Sequence, residues 1–109
     1  MQKTAIFCGI LGLVLANATP ALADSIDGEW CAPVGARRLL IDGARLITPA
    51  GARIEGSYMR HGFSYRAPAG EIEAGLEVEM RLMGEHAMLF RPAGAANAQT
   101  WTRCARPVS

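Results

Sequence analysis

Lysine is all but missing from this chain. Lys3 is the single one, against ten arginines (Arg37, Arg38, Arg45, Arg53, Arg60, Arg66, Arg81, Arg91, Arg103 and Arg106) and an equal number of Asp and Glu. The formal net charge of +1 therefore rests on Lys3. Charges this evenly balanced give no basic patch, which argues against a nucleic-acid or anionic-membrane partner. The preference for Arg reads as compositional bias, since Ala, Gly and Pro are abundant as well, and not as Arg-specific recognition. Histidine is scarce too: His61 and His86 are the only two, and no His/Cys/Asp/Glu spacing supplies the three or four convergent ligands a metal needs. Phosphate-loop and dinucleotide glycine patterns are absent. Ser25, Ser57 and Ser64 stand in no nucleophile-elbow or Ser-x-x-Lys setting. No cofactor is expected.

Long apolar runs are equally rare, and the one present is diagnostic. Ala5–Ala16 (AIFCGILGLVLA) follows Lys3 and precedes Asn17–Ala23 (NATPALA), which ends in the small-x-small pattern Ala21-Leu22-Ala23. That is the layout of a secretory signal peptide over residues 1–23, with cleavage leaving Asp24 as the new amino terminus. The run falls short of the roughly 20 residues needed to cross a bilayer. The expected product is a single domain, residues 24–109, secreted and located in the periplasm, with no stable membrane association once the leader is gone.

A domain this small has marginal stability without a staple. Cys8 lies within the leader, so two cysteines remain, Cys31 and Cys104, in an oxidising compartment that favours a disulfide. Free thiols or a metal pair are the alternative, the latter needing further ligands that are not nearby. Closing so long a loop is worth about 4 kcal/mol in the chain-entropy model.

The mature region shows the period of strands and none of helices. Ile72, Ala74, Leu76, Val78, Met80 and Leu82 alternate with Glu73, Gly75, Glu77, Glu79 and Arg81, which predicts one long half-buried strand with an acidic outer face. On that reading Glu71, Glu73, Glu77 and Glu79 are a solvated face and not a carboxylate cluster. Asp42-Gly43 between Leu39–Ile41 and Ala44–Ile47 is a strong hairpin signal. A three-residue loop Pro49–Gly51 sets Leu46 opposite Ile54 and Arg45 opposite Glu55. A reversal at His61-Gly62 would put Tyr58 beside Tyr65 and Ser57 beside Arg66. Gly84–His86 turns the chain into Ala87–Arg91, where either Met88 and Phe90 or Leu89 form the inner set. Pro92–Asn97 then leads to a last strand ending at Cys104. About seven strands in order predict an all-β antiparallel meander that closes as a small barrel or a two-sheet sandwich. The Cys31–Cys104 bond would tie its ends, with Trp30 and Trp101 on the face opposite the cysteines.

Asp27-Gly28-Glu29-Trp30-Cys31, the stretch Thr48–Tyr65 with its Arg60-His61 pair, and Trp101-Thr102-Arg103-Cys104 resemble a group of small exported bacterial proteins. Those share a Gly-x-Trp-Cys opening, an Arg-His hairpin and a Trp-x-x-Cys close, and carry no activity to transfer. In architecture the chain is also similar to periplasmic inhibitors of lysozyme and of metalloproteases, which are small antiparallel barrels with one disulfide. Their Ser-Gly-x-x-Tyr loop has no counterpart, since Gly56-Ser57-Tyr58 reverses the order, so the likeness implies a fold and no inhibitory residue.

The expected function is accordingly non-enzymatic: a binding or inhibitory module for another exported protein. A barrel carrying a small apolar ligand or lipid is the alternative, and a hydrolase ranks behind both. The candidate binding residues are Tyr58, Arg60, His61 and Tyr65 around one hairpin tip, with Trp30 and Trp101 at the seam. Tyr, Arg and His are favoured in recognition surfaces; the plainer roles are a turn for His61 and core for the tyrosines.

Overall fold

The computed structural model describes residues 25–105, so the leader expected over residues 1–23 lies outside the described residues. Nine strands follow one another: β1 Gly28–Cys31, β2 Arg38–Asp42, β3 Arg45–Ile47, β4 Arg53–Glu55, β5 Ser57–Met59, β6 Gly62–Arg66, β7 Glu77–Met83, β8 Ala87–Pro92 and β9 Gln99–Arg103. They form one antiparallel sheet in the order β4-β3-β2-β1-β9-β8-β7-β6-β5. Every chain-consecutive pair is adjacent except β4 and β5, which lie at opposite ends of that order yet are joined by Gly56 alone. The sheet therefore curls into a nearly closed barrel. First and last strands pair at Trp30↔Arg103 and Cys31↔Thr102.

About seven strands are expected and nine form; Gly56 splits one of them into β4 and β5. A Cβ there would lie 2.5 Å from both Phe63 Cε1 and the Ser64 carbonyl oxygen. Only a residue without a side chain lets the strand bend over the Phe63 ring. The Gly56 amide donates to the Ala44 carbonyl (2.9 Å) on one side, and the next residue, Ser57, already pairs with Ser64 on the other. One bent segment thus serves both edges.

The alternation that forms strands also fills the inside. Trp30, Leu39, Ile41, Leu46, Phe63, Tyr65, Val78, Met80, Met88, Phe90 and Trp101 form one buried cluster with Ile26 and Ala67. Phe90 stacks on Trp101 at 4.6 Å between ring centroids. The parity of β8 is settled: Met88 and Phe90 face in. Leu46↔Ile54 and Arg45↔Glu55 pair as the turn chemistry predicts. Cys31 and Cys104 are bonded, their Cα atoms 5.1 Å apart, on the outer side of the seam from the two buried indoles.

Two expectations fail. The β5–β6 reversal is at Arg60-His61, with Met59 opposite Gly62, so Tyr58 pairs with Phe63 and Ser57 with Ser64 rather than with Tyr65 and Arg66. More consequential, the long strand begins at Glu77 and not at Ile72. Residues 67–76 instead make a compact turn, held by Glu71 N to Pro68 O (3.3 Å), Ala74 N to Glu71 O (3.1 Å) and Leu76 N to Glu73 O (2.9 Å). Gly70 and Gly75, both at positive φ, admit it. Inside this turn the parity is inverted: Glu71 and Glu73 are buried, and Ile72 is 79% exposed. The solvated acidic face therefore shrinks to Glu77 and Glu79.

Candidate functional site

An up-and-down barrel has two poles, and charged residues close both. At the first pole are the 43–44 and 60–61 turns, the β7–β8 turn and the segment leading into β1. Ile26 is fully buried there as a plug, its amide donating to the Arg60 carbonyl (2.7 Å), and its carbonyl accepts from Trp30 Nε1 (2.9 Å). Beside it Asp27 gathers three donors: the Gly43 amide (2.7 Å), the Tyr58 hydroxyl (2.5 Å) and the Ser25 hydroxyl (3.0 Å). Burial alone would raise the Asp27 carboxyl, but these bonds outweigh it and hold it below the ordinary carboxylate range. The same bond, with burial adding to it, pushes the Tyr58 phenol up.

Arg103 completes this pole. Its guanidinium lies 4.3 Å over the Trp30 ring and donates to the carbonyls of Asp27 (2.6 Å), Ser25 (2.7 Å) and Glu85 (2.8 Å). Gly28 leaves the passage open, since a Cβ there would meet Arg103 Nη1 at 2.6 Å. Desolvation lowers the Arg103 pKa, with the Asp27 charge opposing.

Above this frame projects the β5–β6 tip. Arg60 and His61 are exposed, and Met59 beside them is 68% exposed. The His61 carbonyl accepts from the Leu82 amide (2.8 Å), which fixes the turn against β7. Below the tip the outward side chains of β5, β6 and β7 line a groove of about 280 Å³, with Ser57, Met59, His61, Ser64, Glu79 and Arg81 as its walls. A second outer groove of about 610 Å³ lies across β2–β4, floored by Leu40 and Ile47 and edged by Asp42, Arg45, Arg53 and Glu55.

At the second pole the 67–76 turn folds over the barrel mouth. Glu73 takes a bidentate pair from Arg37 (2.9 Å each), and Arg37 in turn lies 5.6 Å over the Trp101 ring. Glu71 accepts from the Thr48 hydroxyl and the Ala50 amide. The hydrogen bond to Glu73 raises the Arg37 pKa, with burial opposing.

The six candidate residues thus separate. Tyr58, Arg60 and His61 stay together at the first pole, where Tyr58 is partly exposed and spends its hydroxyl on Asp27. Trp30 and Trp101 are core, their indole N–H groups satisfied by Ile26 O and Gln99 Oε1. Tyr65 is buried toward the second pole, away from the tip. Asp27, Arg103, Arg37 and Thr48 go unrecognised in the sequence, and Glu71 and Glu73 read there as a solvated face, because their partners are brought near by closure. The one local signal was Pro68-Ala69-Gly70 with Gly75, which brackets a turn. Among the described residues no group of three or more His, Cys, Asp or Glu is placed to hold a metal ion, and no helix is long and apolar enough to cross a membrane. The chain matches no family model, no curated protein and no solved structure.

Proposed function

We propose that this protein is an exported, non-enzymatic binding or inhibitory module that engages another exported protein through the pole bearing Tyr58, Met59, Arg60 and His61. The observation that carries this reading is the contrast between a filled interior and a rigidly mounted, exposed tip. Trp30, Trp101, Phe90, Met80 and Met88 occupy the barrel centre, and both grooves lie on its outside. That favours surface recognition over carriage of an apolar ligand. A tip fixed by Ile26 N, Leu82 N and the Tyr58–Asp27 bond presents its side chains with little ordering left to lose, which favours tight association. The apolar Met59, the cations Arg60 and Arg81 and the imidazole of His61 suit a partner with an apolar anchor point and an anionic rim.

The test places a photo-crosslinking residue at position 61, or at the exposed Val34 of the other pole, in the exporting cell. One saturable protein adduct at 61 and none at 34 is expected. Binding of that purified partner should be lost in R60A/H61A, while stability changes by less than about 0.5 kcal/mol, as for exposed turn positions. Equal labelling at both positions, a lipid adduct, or undiminished binding by R60A/H61A overturns the reading.

A further inference from the structure

Among the described residues one buried side-chain polar atom has no partner, and it belongs to Tyr65 beneath the second pole. Tyr65 is 2% exposed, and its hydroxyl has no hydrogen-bond partner within the barrel. A buried donor left unmatched forfeits its hydration without a replacement bond, which is destabilising. Phenylalanine would fill the same space without that penalty, so the hydroxyl calls for an explanation. The charges acting on it are the Glu73 and Glu71 carboxylates and, more weakly, the Arg37 guanidinium; burial and the two carboxylates together push the Tyr65 phenol up, so it keeps its proton and remains a donor.

Both carboxylates have acceptor capacity to spare. Each Glu73 oxygen takes one Arg37 N–H, and the Glu71 oxygens take the Thr48 hydroxyl and the Ala50 amide, one each. A carboxylate offers about four lone-pair directions. Tyr65 thus brings one unmatched donor under the influence of two carboxylates that keep acceptor capacity to spare. A species that fits must accept once and donate twice. A metal cation accepts nothing, so it leaves the phenol proton unmatched, and an anion is repelled by Glu71 and Glu73.

From this we infer that the second pole is a binding site for one internal water, which accepts from Tyr65 Oη and donates to the carboxylates of Glu71 and Glu73, fastening the 67–76 turn to the barrel core. Three polar partners is the usual complement of a buried water. The site makes Tyr65 a positioning residue for the turn and is independent of the binding role proposed for the opposite pole.

The test is amide hydrogen exchange on the disulfide-bonded protein, wild type and Tyr65→Phe. The amides that secure the turn are those of Gly75, to Ala67 O, and Ala67, to Leu76 O (2.9 Å each). With the bridge in place, Y65F speeds their exchange by about fivefold to thirtyfold, the factor for one to two kcal/mol, and leaves the β8–β9 amides unchanged. Unchanged or slower exchange at Gly75 overturns the inference, for the hydroxyl then contributes nothing. The wild-type protein gives a second readout that does not depend on the variant folding. A water cross-peak to the Tyr65 hydroxyl proton in a protein–water nuclear Overhauser spectrum is expected. Its absence, or Gly75 exchange that responds to replacing sodium by potassium at constant ionic strength, overturns the water in favour of an empty or cation-holding mouth.

Discussion

Asp27 shows how one short side chain can tie down a barrel end. Its carboxylate joins the β2–β3 turn through Gly43, the strand before the tip through Tyr58, and its own segment through Ser25. Because those bonds depress its folded pKa beneath the unfolded value of about 3.9, the stabilisation is complete above that value and fades as pH falls through the folded one. In D27N the three donors lose their charged acceptor. The variant should lose about 1.5–3 kcal/mol near neutral pH, the range for hydrogen bonds to charged groups. Its stability should also fall less steeply than that of wild type below about pH 4. Urea denaturation at several pH values between 2 and 7 measures both, and parallel wild-type and D27N curves would remove Asp27 from this role. No pattern in the sequence marks Asp27. Apart from the neighbouring Ser25, its partners lie 16 and 31 residues away and meet it only once the barrel closes.

Among the elements, legibility follows the range of the forces involved. The β2–β3 and β3–β4 hairpins were readable because Asp42-Gly43 and Pro49–Gly51 dictate local backbone geometry, and the resulting register agrees with the pairing of Leu46 with Ile54. The strand preceding Glu77 was misread because alternation also occurs in a compact turn, where successive side chains again point to opposite sides. There, hydrogen bonds that Glu71 and Glu73 find only in the closed molecule decide which side faces in, against the apolarity of Ile72. The β5–β6 tip slipped by one residue for a simpler reason: Gly62, taken for a turn residue, sits in the strand where a Cβ would meet the Met80 carbonyl oxygen at 3.3 Å. If the two carboxylates fasten the turn, E73Q should weaken it, because an amide offers Arg37 one acceptor oxygen in place of two. The expected cost is about 1–3 kcal/mol, with Gly75 and Leu76 amides losing protection before those of β8. Protection equal to wild type would mean that backbone bonds alone hold the turn.

For the molecule as a whole, the seam between its first and last strands has the fewest register pairs of any two adjacent strands. Two register pairs connect β1 to β9, whereas β7 and β8 share six. Three features reinforce the seam: the Cys31–Cys104 bond, the Cys104 amide donating to the Glu29 carbonyl (3.1 Å), and the Arg103 side chain crossing to Asp27 and Ser25. A cross-link spanning 73 residues lowers the entropy of the unfolded chain, and in that role it stabilises every strand alike. A cross-link that holds a two-pair seam does something further, since it suppresses local opening that leaves the remaining sheet intact. The two roles separate experimentally. C31S/C104S should lose about 2–5 kcal/mol in global stability, the usual cost of removing a native disulfide from a small domain. Beyond that, the Arg103 and Cys104-position amides should exchange faster relative to the β7–β8 amides than they do in wild type. R103A in the disulfide-bonded protein should reproduce the local effect with a smaller global one, because its bonds to the Asp27 and Ser25 carbonyls brace the same seam. If exchange rises by one factor in every strand of C31S/C104S, the bond acts through the unfolded chain alone, and β1–β9 pairing needs no staple to stay shut.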